Sequence, residues 1–238
     1  MGFPRFLLAS AAVCVVAVAF AQSVPVPNSA PAANASVQIP AAPAPTGASS
    51  WLVMDYTNGQ VLASSNPDVR MEPASITKVM TSYVVAAEIK AGKIKATDQV
   101  MISENAWRGG GGGTDGSTSF LPLNSTVSLD ELERGMVIQS GNDAAIALAE
   151  HVAGSEQAFV ELMNNYAKKI GMTNSHFANP HGLSDPNHYS TARDLALMGR
   201  AMIRDFPQAY AYNKIKEYTV NGIRQHNRNG LLWKDASV

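Results

Sequence analysis

The sequence predicts an α/β protein of the α+β kind, in which a β-hairpin precedes a cluster of helices. Two short runs rich in apolar residues, Trp51–Tyr56 and Gln60–Ala63, flank the pair Asn58 and Gly59. Asn-Gly is typical of a tight hairpin turn because both residues tolerate a positive φ angle. Further along the chain, apolar residues recur at the three- and four-residue spacing of helices. Residues 48–238 are long enough to form one hydrophobic core.

Capping residues and glycines set the bounds of the predicted helices. Apolar residues from Ile76 to Ala87 predict the first helix, and Gly92 lies just beyond it. Ser128 and Glu131 form a capping box at the start of a helix that runs toward Ile138. Three further helices and a short hairpin are predicted over Asn142 to about Val152, Phe159–Ile170, Leu195–Ile203 (opened by Thr191) and Tyr218–Ile223.

The N-terminus has the features of a secretory signal peptide. A short basic start, Met1–Arg5, precedes the apolar run Phe6–Phe20, and small residues at positions 19 and 21 provide a cleavage signature. The run is too short for a transmembrane helix, which needs about 20 residues. A buried core helix is the alternative, but the run has no polar face. We predict a signal peptide over residues 1–21, cleaved after Ala21, and an exported, periplasmic protein.

A change of composition follows the predicted signal peptide. Residues 22–47 are rich in Ala, Pro, Ser and Val. Such a segment cannot bury enough apolar surface to offset the entropy lost on ordering. We predict an extended linker over residues 22–47 and a catalytic domain over residues 48–238.

Cysteine usage and charge exclude several classes of function. The single cysteine, Cys14, lies inside the predicted signal peptide. The mature chain would then have no disulfide, no cysteine metal site and no thiol nucleophile. The formal net charge is -1 and no basic block occurs, so no nucleic-acid partner is predicted.

A serine and a lysine at the start of the first predicted helix form the first candidate site. Ser75 and Lys78 are three residues apart, so their side chains share one helix face. A serine hydroxyl becomes a good nucleophile when a neighbouring base takes its proton. A lysine can be that base when burial or a nearby cation lowers its pKa. The spacing alone is common, and the alternative is that Ser75 is an N-cap and Lys78 a solvated lysine.

A second candidate element, Gln139–Asp143, lies in a tight connection between two predicted helices. Ser140 is a candidate for relaying a proton to a leaving group, and Asn142 for holding a substrate amide. Alternatively, Ser140 caps the next helix and Asn142 fills its first turn. Ser-x-x-Lys followed about sixty residues later by Ser-x-Asn forms two of the three motifs of penicillin-interacting enzymes. Together the two motifs favour catalysis.

Six stretches of the chain carry a family resemblance: Pro73–Thr81, Ser103–Trp107, Gln139–Ala144, Phe177 with Pro180–Leu183, Tyr189–Asp194 and Arg228–Trp233. With them the sequence resembles the low-molecular-mass penicillin-binding D-alanyl-D-alanine carboxypeptidases of bacterial cell-wall metabolism. The resemblance covers nearly all residues from Trp51 to Val238. It implies a β-lactamase/transpeptidase-like fold, in which a helical cluster packs on an antiparallel sheet.

The resemblance also implies an activity and roles for the candidate residues. Ser75 would be the acylated nucleophile, Lys78 its base, Ser140 the second catalytic residue and Asn142 a substrate-binding residue. The implied reaction removes the terminal D-alanine from peptidoglycan stem peptides through an acyl-enzyme, in cell-wall biogenesis and cell-shape regulation. β-Lactam antibiotics would be covalent inhibitors, and no cofactor or metal is implied.

The sequence departs from the family pattern in two places. The third motif, Lys-Thr-Gly on a strand at the edge of the site, does not occur; the resemblance places it just after Val238. We therefore expect a chain truncated before that strand, an incomplete sheet and an inactive fragment, with membrane association only through the missing C-terminus. The other departure is the pentaglycine Gly109–Gly113, whose ordering is costly and which leaves one side of the cleft undefined.

Other patterns carry less weight. Gly111, Gly113 and Gly116 satisfy a dinucleotide-binding pattern, but no βαβ unit surrounds them. The spacing of His176 and His188 around His181 matches no standard metal site, so packing or hydrogen bonding within loops is predicted.

Three alternatives to the carboxypeptidase remain: a DD-endopeptidase, a β-lactamase or esterase on the same fold, and a non-catalytic penicillin-binding or wall-binding module. Ser-Gly-Asn in place of Ser-Asp-Asn argues against the β-lactamase, as does the lack of a recognisable Glu-x-x-x-Asn loop after the second motif. A penicillin label that persists on the protein would separate the carboxypeptidase from the β-lactamase.

Overall fold

A computed structural model describes residues 47–110 and 116–237. The predicted signal peptide and nearly all of the predicted linker, residues 1–46, lie outside the described residues. The helices are α1 (Thr77–Lys90), α2 (Glu104–Gly109), α3 (Leu129–Gln139), α4 (Asn142–Ala153), α5 (Glu156–Lys169), α6 (Ala192–Asp205) and α7 (Pro207–Tyr210). The strands are β1 (Trp51–Met54), β2 (Val61–Ser65), β3 (Gln99–Met101), β4 (Thr126–Ser128), β5 (Glu217–Val220) and β6 (Ile223–His226). Of the helices described, none is long and apolar enough to cross a membrane.

The predicted first hairpin is confirmed, but its turn differs from the expectation. β1 and β2 pair antiparallel along their length, with an irregularity near the end of β1. Gly59 has a φ of 79°, whereas Asn58 is not in the left-handed region. The Asn58 side chain instead accepts a hydrogen bond from the Gln60 N–H at 2.7 Å. The connection is therefore a longer loop, closed by main-chain bonds from Asp55 to Gly59 and Gln60.

Two further antiparallel pairs occur in the described residues. β5 pairs with β6 and confirms the predicted second hairpin, which turns at Asn221 and Gly222. β3 pairs with β4 across an intervening segment that contains α2. The elements β3, β4 and α2 were not predicted from the sequence, because each is too short to show a period.

The predicted helices are confirmed to within a few residues. The capping box of α3 is present, with the Ser128 side chain accepting from the Glu131 N–H and the Glu131 side chain accepting from the Ser128 N–H. Thr191 caps α6 by accepting from the Asp194 N–H. Gly154 ends α4 in the left-handed conformation that favours glycine.

α4 forms the centre of the hydrophobic core. Its residues Ala144–Ala149 are at most 3% exposed, and the helix touches α1, α2, α3 and α5. Small alanine side chains let these neighbours approach closely. Large side chains from other elements complete the core: Met80, Leu132, Phe159, Met163, Phe177 and Met198. The predicted α+β fold thus has its helical cluster built around the helix that begins at Asn142.

Candidate active site

Ser75 lies in a 3₁₀ turn, Ala74–Ile76, that leads directly into α1. Ala74 has a φ of 48°, a left-handed conformation that is uncommon for a residue other than glycine. Such a backbone persists only where its surroundings hold it. Ile76 occupies the N-cap position of α1 and makes no side-chain cap. The alternative interpretation of Ser75 as a helix cap is therefore wrong.

Lys78 is buried, with 5% of its surface exposed, so its interpretation as a solvated lysine is also wrong. Its Nζ donates to Asn142 Oδ1 at 2.8 Å and to the His181 carbonyl at 2.6 Å. The same atom lies 3.4 Å from Ser75 Oγ. Burial lowers the pKa of Lys78 to about 8, and the positive charge of Arg228 acts in the same direction.

The second predicted element lies against the first. Ser140 is the C-cap of α3, with a φ of 62°, and Gly141 holds the N-cap position of α4. The interpretation of Ser140 as the cap of the next helix is therefore wrong. Its Oγ is buried and has no hydrogen-bond partner among the described residues. One cleft of about 360 Å³ is lined by Ser75, Lys78 and Ser140. Asn142 is hydrogen-bonded to Lys78. The structure thus brings together all four predicted site residues.

A buried aspartate at the start of α4 holds the adjoining loop in place. Asp143 is 1% exposed and accepts hydrogen bonds from the Ser119 N–H at 2.8 Å and from Thr118 Oγ1 at 2.9 Å. On the outer side of this loop, Arg228 Nη1 donates to Ser117 Oγ at 2.7 Å. This contact holds Arg228 next to the second element, from where its charge acts on Lys78. Neither Asp143 nor Arg228 was among the site residues predicted from the sequence.

The pentaglycine begins at a close contact with α4. A Cβ at Gly110 would overlap the main chain at Asp143, and one at Gly109 would overlap the side chain of Ile146. The first two glycines therefore let the end of α2 approach α4 beside the second element. Gly111–Gly113, and with them two of the glycines of the dinucleotide-binding pattern, lie outside the described residues.

Residues 178–190, here called the clamp segment, hold the turn that carries Ser75. Gly182, with a φ of 91°, sits so close to the Ala74 carbonyl that a Cβ would overlap it. Hydrogen bonds join the clamp segment to residues 71–81 at five places. Ser190 pairs with Met71 through the main chain, and Ser184 Oγ donates to Glu72 Oε2 at 3.0 Å. The His188 ring bonds to Thr77 Oγ1 at 2.7 Å, the His181 carbonyl accepts from Lys78, and the Pro180 carbonyl accepts from Thr81 Oγ1 at 2.6 Å. Pro180–Leu183 contributed to the family resemblance, but these contacts were not predicted from the sequence.

The three histidines that raised the possibility of a metal site all make hydrogen bonds, of which those of His176 and His181 stay within the loop and that of His188 reaches the start of α1. His176 Nδ1 donates to the Asn187 carbonyl at 2.7 Å, and His181 Nδ1 accepts from the Leu183 N–H at 3.2 Å. His188 bonds to Thr77. Within residues 47–110 and 116–237, no group of three or more potential ligands is arranged to hold a metal ion.

Comparison with known proteins identifies the family. A family model described as D-alanyl-D-alanine carboxypeptidase matches residues 36–238. Because the match covers most of the chain, the protein belongs to the D-alanyl-D-alanine carboxypeptidase family of peptidases.

Individual relatives agree with this assignment. The chain is 52% identical over 205 residues to D-alanyl-D-alanine carboxypeptidase DacC of Escherichia coli (strain K12), covering 86% of this chain and 51% of that protein. It is 35% identical over 147 residues to the D-alanyl-D-alanine endopeptidase of the same strain, covering 61% of this chain and 44% of that protein. The crystal structure of penicillin binding protein 5 from Haemophilus influenzae superposes with a TM-score of 0.77 at 49% identity, covering 81% of this chain and 56% of that one. The predicted fold class is thereby confirmed, and the chain spans about half the length of the curated relatives it matches.

Proposed function

We propose that the protein is a serine-type D-alanyl-D-alanine carboxypeptidase that removes the terminal D-alanine from peptidoglycan stem peptides through an acyl-enzyme on Ser75. It would act as an exported, periplasmic protein, and β-lactam antibiotics would acylate the same serine. Family membership supports the reaction class. The observation that carries the residue roles is the buried Lys78 amine, with its lowered pKa, beside the Ser75 hydroxyl.

The contacts of Lys78 explain how it would act as a base. A protonated lysine has three donors, and three oxygens surround Nζ. When the amine is neutral, its two N–H groups stay with Asn142 Oδ1 and the His181 carbonyl, the two nearer acceptors. The lone pair then faces Ser75 Oγ. The amine would take the hydroxyl proton as Oγ attacks the carbonyl carbon of the penultimate D-alanine.

The second element would complete the reaction. Because Oδ1 of Asn142 accepts from Lys78, its amide N–H₂ group is left to bind a substrate carbonyl. The buried Oγ of Ser140, which has no partner in the described part of the chain, lines the cleft with Ser75 and Lys78. Ser140 would therefore pass a proton to the departing amine of the terminal D-alanine. Water would then hydrolyse the Ser75 ester and release the shortened peptide.

Covalent labelling with a fluorescent penicillin tests this proposal in the full-length gene product. We expect the wild type to be labelled and Ser75→Ala to be unlabelled. D-Alanine release should fall by roughly 10⁴–10⁶-fold in Ser75→Ala and nearly as far in Lys78→Ala. The losses should not add in the double variant, because both residues serve one step. Exposed residues of the same types, in Ser64→Ala and Lys214→Ala, provide matched controls.

Other outcomes would identify a different enzyme. Rapid hydrolysis of the penicillin would indicate a β-lactamase, and cleavage of cross-linked peptides without D-alanine release would indicate an endopeptidase. Labelling of Ser75→Ala at the wild-type rate would overturn the assignment of the nucleophile. A wild type that neither labels nor releases D-alanine would overturn the proposal as a whole.

A further inference from the structure

Thr77 lies between Ser75 and Lys78 in the sequence and is fully buried, with 0% of its surface exposed. Its only side-chain partner in the described residues is the ring of His188, whose Nε2 is 2.7 Å from Thr77 Oγ1. His188 is 2% exposed and belongs to the clamp segment. This is a buried contact between polar side chains, and it is made at the residue that joins the strained Ala74 turn to α1.

The hydrogen bonds of His188 define which ring nitrogen carries the proton. The Ala178 N–H donates to His188 Nδ1 at 3.0 Å, so Nδ1 has to be the acceptor. The proton of the neutral ring is then on Nε2, and Nε2 donates to Thr77 Oγ1. The Phe177 ring packs edge-on against the imidazole, with 5.7 Å between the ring centroids. The ring is therefore held in a single orientation and a single tautomer.

We propose that His188 is a positioning residue for the acylation of Ser75, which acts through Thr77. In its neutral form, with the proton on Nε2, His188 fixes the Thr77 side chain. The fixed side chain in turn holds the Ala74–Ile76 turn, which places Ser75 Oγ near Lys78 Nζ. Protonation of His188 releases that turn. The inference rests on the proposed function, because it concerns the acylation step.

Protonation of the ring would break the arrangement for a simple reason. A doubly protonated imidazole is a donor at both nitrogens, so Nδ1–H would face the Ala178 N–H, donor against donor. Burial lowers the pKa of His188, which keeps the ring neutral at ordinary pH. Three titratable groups also act on it: Asp185 and Glu72 favour the protonated ring, whereas His176 opposes it. A charged His188 in turn helps to lower the pKa of the neighbouring His181.

Two substitutions distinguish this role from simple space-filling. His188→Leu fills the space without a donor, and His188→Gln keeps an amide donor within reach of Thr77. We expect acylation by a fluorescent penicillin to slow by about 10- to 100-fold in His188→Leu, the range that a misplaced reacting group produces. His188→Gln should stay within about threefold of the wild type. His226→Gln, at an exposed histidine on β6, is the control.

The same hydrogen bond can be removed from its other end. Thr77→Val keeps the shape of the side chain but loses the acceptor, so it should slow acylation as much as His188→Leu does. The double variant should be no slower than either single variant, because both remove one interaction. Additive losses, or a Thr77→Val protein that acylates at the wild-type rate, would overturn the inference even if His188→Leu folds poorly.

A pH series supplies a readout that packing alone would not change. Acidification protonates Lys78 and so slows acylation in both the wild type and His188→Gln. Only the wild type also loses the neutral form of His188. Because burial holds the pKa of His188 below its ordinary value, the ratio of the wild-type rate to the His188→Gln rate should fall in solutions more acidic than that ordinary pKa. A ratio that does not change with pH would show that protonation of His188 does not release the turn that carries Ser75.

Hydrogen–deuterium exchange tests the positioning independently of activity. Amides of residues 74–78 should exchange faster in His188→Leu than in the wild type or in His188→Gln. If the wild type is not acylated but this difference appears, the proposed function fails while the structural role of His188 stands. Equal exchange in all three proteins would overturn the inference whatever the labelling shows.

Discussion

The pKa of Lys78 depends on its burial and on two charged neighbours, Arg228 and Asp143. Burial lowers it most, the charge of Arg228 lowers it further, and Asp143 opposes them. Burial or a nearby cation was the condition for a lysine base in the sequence analysis, but the sequence did not identify the cation. In the described chain Arg228 already contributes in this direction, although it lies about 150 residues from Lys78 in the sequence.

Removing the charge of Arg228 should therefore shift the pH dependence of acylation. The neutral amine is the base, so the acylation rate should rise with pH through about 8 in the wild type. In Arg228→Gln the pKa of Lys78 should rise, and the rate increase should move to higher pH. Arg228→Lys keeps the charge and should keep the wild-type profile, as should Arg224→Gln on β6. A pH–rate profile of penicillin acylation measures this, and a profile unmoved in Arg228→Gln would contradict it.

For individual residues of the site, the sequence predicted the functional side chains but not the main-chain groups that hold them in place. Ser75, Lys78, Ser140 and Asn142 were predicted because their types and spacing form a motif. The His181 carbonyl was not, because every residue has a carbonyl and its use depends on where the chain folds back. The left-handed Ala74 carries no sequence signal either, since the surrounding structure and not the residue type imposes its conformation.

Among the elements, the clamp segment depends on one glycine. A methyl group at Gly182 would overlap the Ala74 carbonyl, a main-chain atom that cannot move without moving Ser75. We expect Gly182→Ala to lower the acylation rate by at least about tenfold. Gly92→Ala is a matched control, because Gly92 has a φ of 72° but nothing within 4 Å of the added Cβ. Both changes strain the backbone by about 1 kcal/mol, so labelling that falls equally in both would show that strain alone is responsible.

Elements with local signals were predicted well, and elements that depend on distant partners were not. The capping box of α3 and the glycine that ends α4 lie within the helices they define. By contrast, β3 and β4 have three residues each and form only because the chain brings them together. The turn after β1 was predicted in place but not in conformation, because the Asn58 side chain bonds to the Gln60 N–H.

On the scale of the whole molecule, the core around α4 also encloses ionisable groups. Glu133 on α3 is 3% exposed and accepts a hydrogen bond from Ser82 Oγ on α1 at 2.8 Å. Its other carboxyl oxygen has no partner among the described residues. Burial raises the pKa of Glu133 to about 8, so the folded protein holds it as the neutral acid at pH 7.

This buried acid should make the stability of the whole domain depend on pH. The unfolded chain releases the proton near pH 4.5, whereas the folded protein keeps it until about pH 8. Between these values the folded state binds one more proton, so the free energy of unfolding falls as the pH rises and levels off above about 8. Glu133→Gln keeps an acceptor for Ser82 and has no charge to bury. It should therefore be more stable than the wild type at pH 8 by on the order of a few kcal/mol, since one pKa unit corresponds to about 1.4 kcal/mol.

Thermal unfolding of the full-length protein between pH 5 and 9 measures the effect. The difference in Tm between Glu133→Gln and the wild type should be small at pH 5, grow toward pH 8 and then stay constant. Glu161→Gln, at an exposed glutamate on α5, should follow the wild type throughout. Parallel curves for Glu133→Gln and the wild type would show that Glu133 ionises in the folded protein as it does in the unfolded chain. In that case water or another group must reach the carboxylate, and Glu133 would not be the neutral partner of Ser82 that joins α1 to α3.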